Sequence, residues 1–488
     1  MEPIQIIEFS TFYKIPKVQG YDYRQLLRAL STVNFYTQEY IPNGYFEYET
    51  HYRIMKIPKD MLLQYMRYCK IACAIVKSGN FPYDILKGFA MKNQPRDKLQ
   101  SDVIKDVMNV FKDKERCIVS LQTGRGKTYV ATNVISQLKV RAIILVKSVE
   151  LKKQWIESFQ KHSYCKNILS IEEGIDWLDY IESKTYEPDV IIATHKSFYI
   201  LLQDIGEKAF IEFLLKKKIG MKVFDEFDLE NGNMFKFDTI SSLRYTLYLS
   251  ATTYKSSRDD DKAFQRIFKD VDNIGPEYIV EVERNGLFIL FNSKPTQKEY
   301  WRCHLYTKDG PTFNYQKFHK YAIESKIYDK VLKYLWDKII KSRYNSEATL
   351  KTVFFIGRRD TLAKNFRDNL EKIFGLPKGS ISILNSDTPK KERDSIMQNS
   401  KLIVSTSKSM GRGIDLKGLD IIVDLETRAS KSESAQVIGR VSRVGMTTVG
   451  TYIGVVDTAF ETVKRNHDNK MNYGFYDEQL TKIKEIEI

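Results

Sequence analysis

The stretch Leu121-Gln122-Thr123-Gly124-Arg125-Gly126-Lys127-Thr128 puts two glycines, a lysine and two hydroxyls into eight residues, directly after the apolar run Cys117-Ile118-Val119-Ser120. Glycines let backbone N–H groups curl round an anion, and a helix beginning at the end of the loop adds its partial positive charge. Lys127 can reach the outer phosphates of a nucleotide, and the Thr128 hydroxyl can hold a magnesium ion. Leu121 stands where such loops usually carry a first glycine, five residues before Gly126. Taken alone, the stretch also suits a simple turn, so other residues must complete the chemistry. Asp225 and Glu226 can do so, because they end the apolar run Met221-Lys222-Val223-Phe224. One carboxylate can hold magnesium, often through water, and its neighbour can polarise the water that attacks a γ-phosphate. Arg440 and Arg443 are three apart, so on a helix they would share a face. Two guanidiniums side by side suit the charge that spreads over a transferring phosphoryl group. Gln100 adds an amide that could read the N6 and N7 edge of adenine, although by itself it is an ordinary surface glutamine.

These residues need a scaffold, and the hydrophobic pattern supplies one. After the loop and its helix come the buried runs Arg141 to Val146, Val190 to Ala193, Met221 to Phe224 and Tyr245 to Leu249. They end in Lys147-Ser148, Thr194-His195-Lys196-Ser197, Asp225-Glu226-Phe227-Asp228 and Ser250-Ala251-Thr252 respectively. Buried strands alternating with helices, each with polar residues at its C-terminal end, describe a parallel α/β sheet whose ligands sit at those ends. The carboxylate pair is expected on a strand next to the loop's strand. An amphipathic helix from Tyr328 to Ile340 opens a second set. It contains the strands Val353 to Ile356, Ile381 to Leu384, Leu402 to Val404 and Ile421 to Val423, and a helix over Gln436 to Arg443. No second phosphate loop occurs there, so its arginines would serve a nucleotide held by the first set.

Residues 1–92 have a different texture, rich in Tyr and Phe. The segment Tyr45 to Ile54 alternates aromatic with polar residues, which predicts strands with one wet face. Helices are expected over Tyr23 to Leu30 and from Met61 to about Val76. Aromatics mixed with Arg24, Arg28, Arg53 and Lys56 could stack on bases, while core packing is the commoner use of such rings. The reading divides the chain into an accessory α+β domain (1–92), a first α/β domain (93–290), an irregular linker (291–325) and a second α/β domain with a C-terminal tail (326–488).

Composition bounds the function. Lys and Arg number 77 against 62 Asp and Glu, a net charge of +15, which suits a polyanionic partner or a generally basic surface. No run approaches the roughly 18 consecutive apolar residues of a membrane span, and the N-terminus lacks the pattern of a secretory signal. A cytoplasmic protein is expected. Of the five cysteines, Cys69 and Cys73 lie four apart and could share a helical face, but no second Cys or His pair stands nearby to complete a zinc site, so all read as buried reduced thiols.

Together these residues resemble superfamily-2 helicases and translocases over about residues 93–460. Thr123 to Thr128 looks like motif I, Asp225 to Asp228 like motif II and Ser250 to Thr252 like motif III. Gly411-Arg412-Gly413-Ile414-Asp415 resembles the end of motif V, and Gln436 to Arg443 resembles motif VI. Motif II ends in Asp228 as in DEAD-box proteins. Gln436 replaces their motif VI histidine, however, and no aromatic-led Gln motif precedes Gln100. The aromatic-rich N-terminus and the form of motif VI are similar to phage recombination helicases of the UvsW kind. The resemblance implies two RecA-like domains in tandem, an ATP site with Mg2+, and stepwise movement along one strand of DNA. It assigns nucleotide contacts to Gln100, Thr123, Gly124, Arg125, Gly126, Lys127, Thr128, Asp225, Glu226, Asp415, Gln436, Arg440 and Arg443, with Thr128 and Asp225 on magnesium. It assigns strand contacts, mainly to phosphates, to Lys147, Ser148, Thr194, Arg358 and Thr406, and coupling between the sites to Ser250 and Thr252. The expected substrate is branched or forked DNA in a phage-infected bacterial cytoplasm. The alternatives are an RNA helicase and a transcription-associated translocase. A restriction translocase subunit is disfavoured because no nuclease constellation appears. A non-enzymatic binding module would be expected to carry a damaged Lys127, Glu226 or Arg443, and all three are intact.

Overall fold

The computed structural model describes residues 3–33, 40–42, 44–86, 89–121, 125–171, 174–183, 187–227, 231–250, 265–276, 283–307, 310–346, 350–357, 361–385, 387–407, 416, 418–426, 431–441 and 449–488. The chain forms two compact units, Met1–Ile279 and Val280–Ile488.

The first unit is built on a seven-stranded sheet in the order 168–170, 190–194, 142–146, 221–225, 245–250, 116–120, 272–274. Every pairing in it is parallel. Its central strands 142–146, 190–194 and 221–225 are almost wholly buried on both faces, as a parallel sheet covered by helices requires. The register levels the C-terminal ends: Ser250 pairs with Ser120, Asp225 with Leu249, and Thr194 with Val146. The loop strand Arg116–Ser120 and the acid strand Met221–Asp225 are not neighbours, contrary to expectation. Tyr245–Ser250 lies between them and pairs with both. Helical crossovers decide which parallel strands meet, and hydrophobic runs do not record that choice.

The N-terminal segment folds onto this unit as a mixed five-stranded sheet, ordered 45–47, 51–55, 12–16, 4–8, 73–77. The aromatic-alternating segment forms strands as expected, Tyr45–Glu47 and His51–Met55, paired antiparallel. The expected helix Met61 to Val76 instead spans Lys59–Tyr68. Lys70 turns the chain in the left-handed region (φ 58°), and Cys73–Lys77 becomes a strand parallel to Ile4–Glu8. Contacts with Glu207 explain much of the aromatic and basic texture. Tyr48 Oη donates to it at 2.7 Å, Arg53 pairs with it at 3.2 Å, and the Lys236 ammonium bonds the same carboxylate. Lys236 also lies 4.7 Å from the Phe46 ring centre, and the Arg53 guanidinium 4.7 Å from that of Tyr48. These residues therefore dock the N-terminal sheet on the helices His195–Lys217 and Asn231–Ile240, instead of presenting a stacking face.

The second unit carries another all-parallel seven-stranded sheet, ordered 381–384, 402–405, 351–355, 419–424, 450–457, 284–291, 482–487. Arg284–Phe291, expected at the end of the first α/β domain, pairs here between Gly450–Asp457 and Lys482–Glu487. The boundary accordingly moves from 290 to 279. Part of the expected linker is ordered: a helix Gln297–Arg302, a hairpin His304–Thr307 with Gly310–Phe313, and a helix Tyr315–Glu324. The amphipathic run after Tyr328 is helical from Asp329 to Tyr344, with a π-helical segment Trp336–Ile340. The fold is thus two RecA-like parallel-sheet domains with a mixed N-terminal sheet on the first. No helix among the described residues is long and apolar enough to cross a membrane.

Candidate nucleotide site

Helix Lys127–Leu138 starts directly after Gly126, whose φ of +86° favours glycine. A Cβ at Gly126 would collide with the Gln100 side-chain nitrogen, a second reason for glycine there. No side chain caps this helix, and no acid stands in its first turn. Its first N–H groups thus face the C-terminal edge of the sheet uncapped by a side chain, as an incoming phosphate requires. The Lys127 ammonium bonds Leu121 O at 2.8 Å, reaching back across the mouth of the loop. Leu121 N in turn donates to Ser250 O at 3.2 Å. Ser250, expected to couple the sites, is therefore bonded through its backbone to the residue that opens the loop.

Asp97 caps helix Lys98–Asp113 by accepting from Gln100 N at 2.9 Å. That places Gln100 against the loop, 3 % exposed. Its Nε2 donates to Arg125 O at 3.2 Å, and its Oε1 accepts from Arg96 N at 3.0 Å. The amide holds the loop in shape, a role its sequence position did not disclose. Arg125 is buried, and loss of solvent pulls its guanidinium below the usual range.

Asp225 is 6 % exposed and accepts a 2.8 Å hydrogen bond from Trp155 Nε1, itself fully buried. Trp155 lies on helix Val149–His162, which follows the strand beside the acid strand. Not singled out by its sequence, it fixes one carboxylate oxygen and thereby sets the orientation of the other. Glu226 adopts φ +54°, after which Phe227 N returns to bond Leu249 O at 3.2 Å. A left-handed non-glycine residue costs about 1–2 kcal/mol, and such strain concentrates at functional sites. Magnesium fits this donor set: one buried carboxylate and the Thr128 hydroxyl beside a phosphate cradle are what the ion takes when phosphates supply further oxygens. Trp155→Phe deletes the N–H together with the five-membered ring of a fully buried indole, so thermal melting is read beside the metal titration. The Mg2+ concentration for half-maximal ATP turnover should rise about 10- to 100-fold. An unchanged Mg2+ titration in that variant would show that the bond does not hold Asp225 for the metal.

Of the expected strand contacts, Lys147, Ser148 and Thr194 follow or end strands at this edge of the first sheet. Lys147 is exposed. Ser148 and Thr194 are N-caps, accepting from Leu151 N at 3.4 Å and from Ser197 N at 3.1 Å. In the second unit Thr406 follows the strand Leu402–Ser405 and is 9 % exposed. Arg440 does not lie on the expected helix, which ends at Ile438. Gly439 and Arg440 form a turn in which Arg440 N bonds Val437 O at 3.2 Å. Arg284, not singled out by its sequence, is 7 % exposed and donates to Val441 O at 2.9 Å, holding the chain just after Arg440. Thr123, Gly124, Thr252, Arg358, Asp415 and Arg443 lie outside the described residues, as does the Gln436 side chain.

Comparison with known proteins follows the same division. Residues 94–255 match the family model described as Type III restriction enzyme, res subunit, and residues 330–445 match the helicase conserved C-terminal domain. The DNA 3'-5' translocase XPB2 of Sulfurisphaera tokodaii is 22% identical over 71% of this chain and 80% of its own length. Among solved structures, the Type ISP restriction-modification enzyme LlaBIII bound to DNA aligns with a TM-score of 0.54 at 14% identity, over 81% of this chain and 31% of that one. A single-substitution variant of S. cerevisiae Dbp5 bound to RNA and ADP BeF3 aligns with a TM-score of 0.51 at 17% identity, over 80% and 89%. These likenesses show the fold. Both family models, matched in order over two parallel sheets, indicate a superfamily-2 helicase.

Proposed function

We propose that this chain is an ATP-driven DNA helicase or translocase that remodels forks, displacement loops or Holliday junctions. The observation that carries the reading is the single sheet edge on which Lys127, Asp225 and Ser250 meet, with Ser250 O bonded to Leu121 N at the loop. Lys127 and the helix N-terminus bind the phosphates, and Gly126 keeps the cradle open. Asp225, held by Trp155, and Thr128 hold magnesium, which when bound neutralises phosphate charge. Glu226 orients the attacking water. Arg440 and Arg443 supply guanidiniums that stabilise the charge on the transferring phosphoryl group.

Strand contacts fall to Lys147, Ser148 and Thr194 on the first unit and to Arg358 and Thr406 on the second. Phosphate contacts carry no sequence information, so the protein should select structure and polarity over base sequence. The +15 charge and the likeness to a protein named as a DNA translocase support DNA. The likeness of the aromatic-rich N-terminal segment to that of phage recombination helicases is what favours branched substrates. The test is ATP-dependent strand release from a labelled fork, beside a linear duplex and an RNA duplex of the same sequence. Preferential remodelling of the fork is expected. Preferential unwinding of the RNA duplex would replace this reading with an RNA helicase.

A further inference from the structure

We infer that the hairpin His304–Thr307/Gly310–Phe313, with the short helix before it, forms a stacking platform for single-stranded DNA in the second unit. The inference rests on the nucleic-acid reading above but uses residues outside both matched segments, 94–255 and 330–445.

Two large rings stand in solvent here. Trp301 is 37% exposed and Tyr306 73%, with centroids 6.4 Å apart. Leu305 beside them is also exposed. Large apolar surface grouped this way marks a binding site more often than a folding accident. Charge says which kind. Lys298, Trp301 and Arg302 stand at i, i+3 and i+4 on helix Gln297–Arg302 and so share a face. With Tyr306, Lys317 and Lys320 they line an open groove of about 540 Å³. Its carboxylate, Glu324, stands 3.8 Å from Lys320. Glu299, the acid within the helix, is turned back into a capping box, accepting from Thr296 N at 2.8 Å and Thr296 Oγ1 at 2.7 Å. Four cations against one carboxylate favour a polyanion, and rings interleaved with cations favour one whose bases are unpaired. A closed duplex hides its base faces and would leave Trp301 and Tyr306 unused.

The platform is also rigid. Tyr300 stacks on Phe460 at 5.3 Å, and Phe318 packs on Phe460 at 4.9 Å and on Phe313 at 5.5 Å. Cys303 is fully buried among them. The Lys317 ammonium donates to His304 O at 2.9 Å, tying the hairpin to helix Tyr315–Glu324. With Cys303 buried and Tyr300 packed on Phe460, Trp301 faces outward and binds at little entropic cost, because the backbone beneath it is already held.

The test is anisotropy of the full-length protein with labelled oligo(dT), oligo(U) and a blunt DNA duplex at one salt concentration. Trp301→Ala with Tyr306→Ala should weaken oligo(dT) binding about tenfold or more and leave the blunt duplex unchanged. Trp301→Phe, which keeps a stacking face, should restore most of the Trp301 contribution. Lys298→Ala with Arg302→Ala should reduce the slope of log affinity against log salt for oligo(dT) by about one to two. Wild-type affinity for oligo(dT) in the double-ring variant would overturn the platform, as would an equal loss on the blunt duplex. Stronger ring-dependent binding of oligo(U) would overturn its assignment to DNA. Failure of the wild-type protein to bind any of the three would instead overturn the nucleic-acid reading itself, and that control is read before any variant.

Discussion

Lys127→Ala is expected to cut ATP turnover by at least roughly 10²- to 10³-fold, the usual effect of removing one preorganised group that faces developing charge. The ammonium bonds Leu121 O across the loop and stands at the head of a helix with no side-chain cap. Deleting it removes the positive charge nearest the phosphates and leaves the Gly126 turn and the sheet untouched. Stability should therefore change little, because the side chain is only half-buried. Lys127→Arg should not rescue, since a planar fork cannot replace a compact ammonium. Turnover measured beside thermal melting separates the two effects. A variant that keeps wild-type turnover would remove Lys127 from the site.

The largest effect on stability is expected at Asp238→Ala, about 3–5 kcal/mol, the usual cost of breaking a buried ion pair from one side. Lys222 and Asp238 are both fully buried, 2.8 Å apart, on the acid strand and on the helix that docks the N-terminal sheet. Burial pulls the Lys222 ammonium below the ordinary lysine range, and Asp238 is the charge that opposes this pull. Tyr248 Oη donates to the same carboxylate at 2.7 Å, and Thr11 Oγ1 from the N-terminal sheet donates to Asp238 O at 2.7 Å. Removing the carboxylate strands a buried cation and a buried hydroxyl together, next to the docking surface. Replacing both charges, Lys222→Met with Asp238→Leu, should cost much less, because no uncompensated charge remains. The midpoint of urea unfolding checks both variants. Equal losses in the single and double variants would show that packing, not charge pairing, sets the cost.

Much of this was legible in the sequence for a physical reason. A parallel sheet buries both faces, so its strands appear as continuous apolar runs, and their polar ends mark the functional edge. Lys127, Asp225 and Ser250 were found that way. Strand order was not, because the crossovers that place Tyr245–Ser250 between the loop and acid strands leave no periodic trace. The end of the first α/β domain was set at residue 290 for the same reason, although Arg284–Phe291 pairs in the second sheet. The short-range misses have a different cause. Arg440 follows a glycine that ends its helix one turn early, and Val76 lies beyond a left-handed turn at Lys70. The bond from Trp155 to Asp225 joins residues 70 positions apart, and only the folded sheet brings them together. The tyrosines and phenylalanines of residues 1–92 gave a true signal of aromatic packing, and their use became clear only when Glu207 and Lys236 appeared opposite them.

The most direct test of the central claim is the steady-state rate of ATP hydrolysis by the wild-type protein, with and without saturating forked DNA. The proposal predicts slow hydrolysis alone and a large stimulation by the fork, absent in Lys127→Ala. Hydrolysis that is equally fast with and without nucleic acid would contradict it, because a motor must couple phosphate chemistry at Lys127 and Asp225 to the strand it moves.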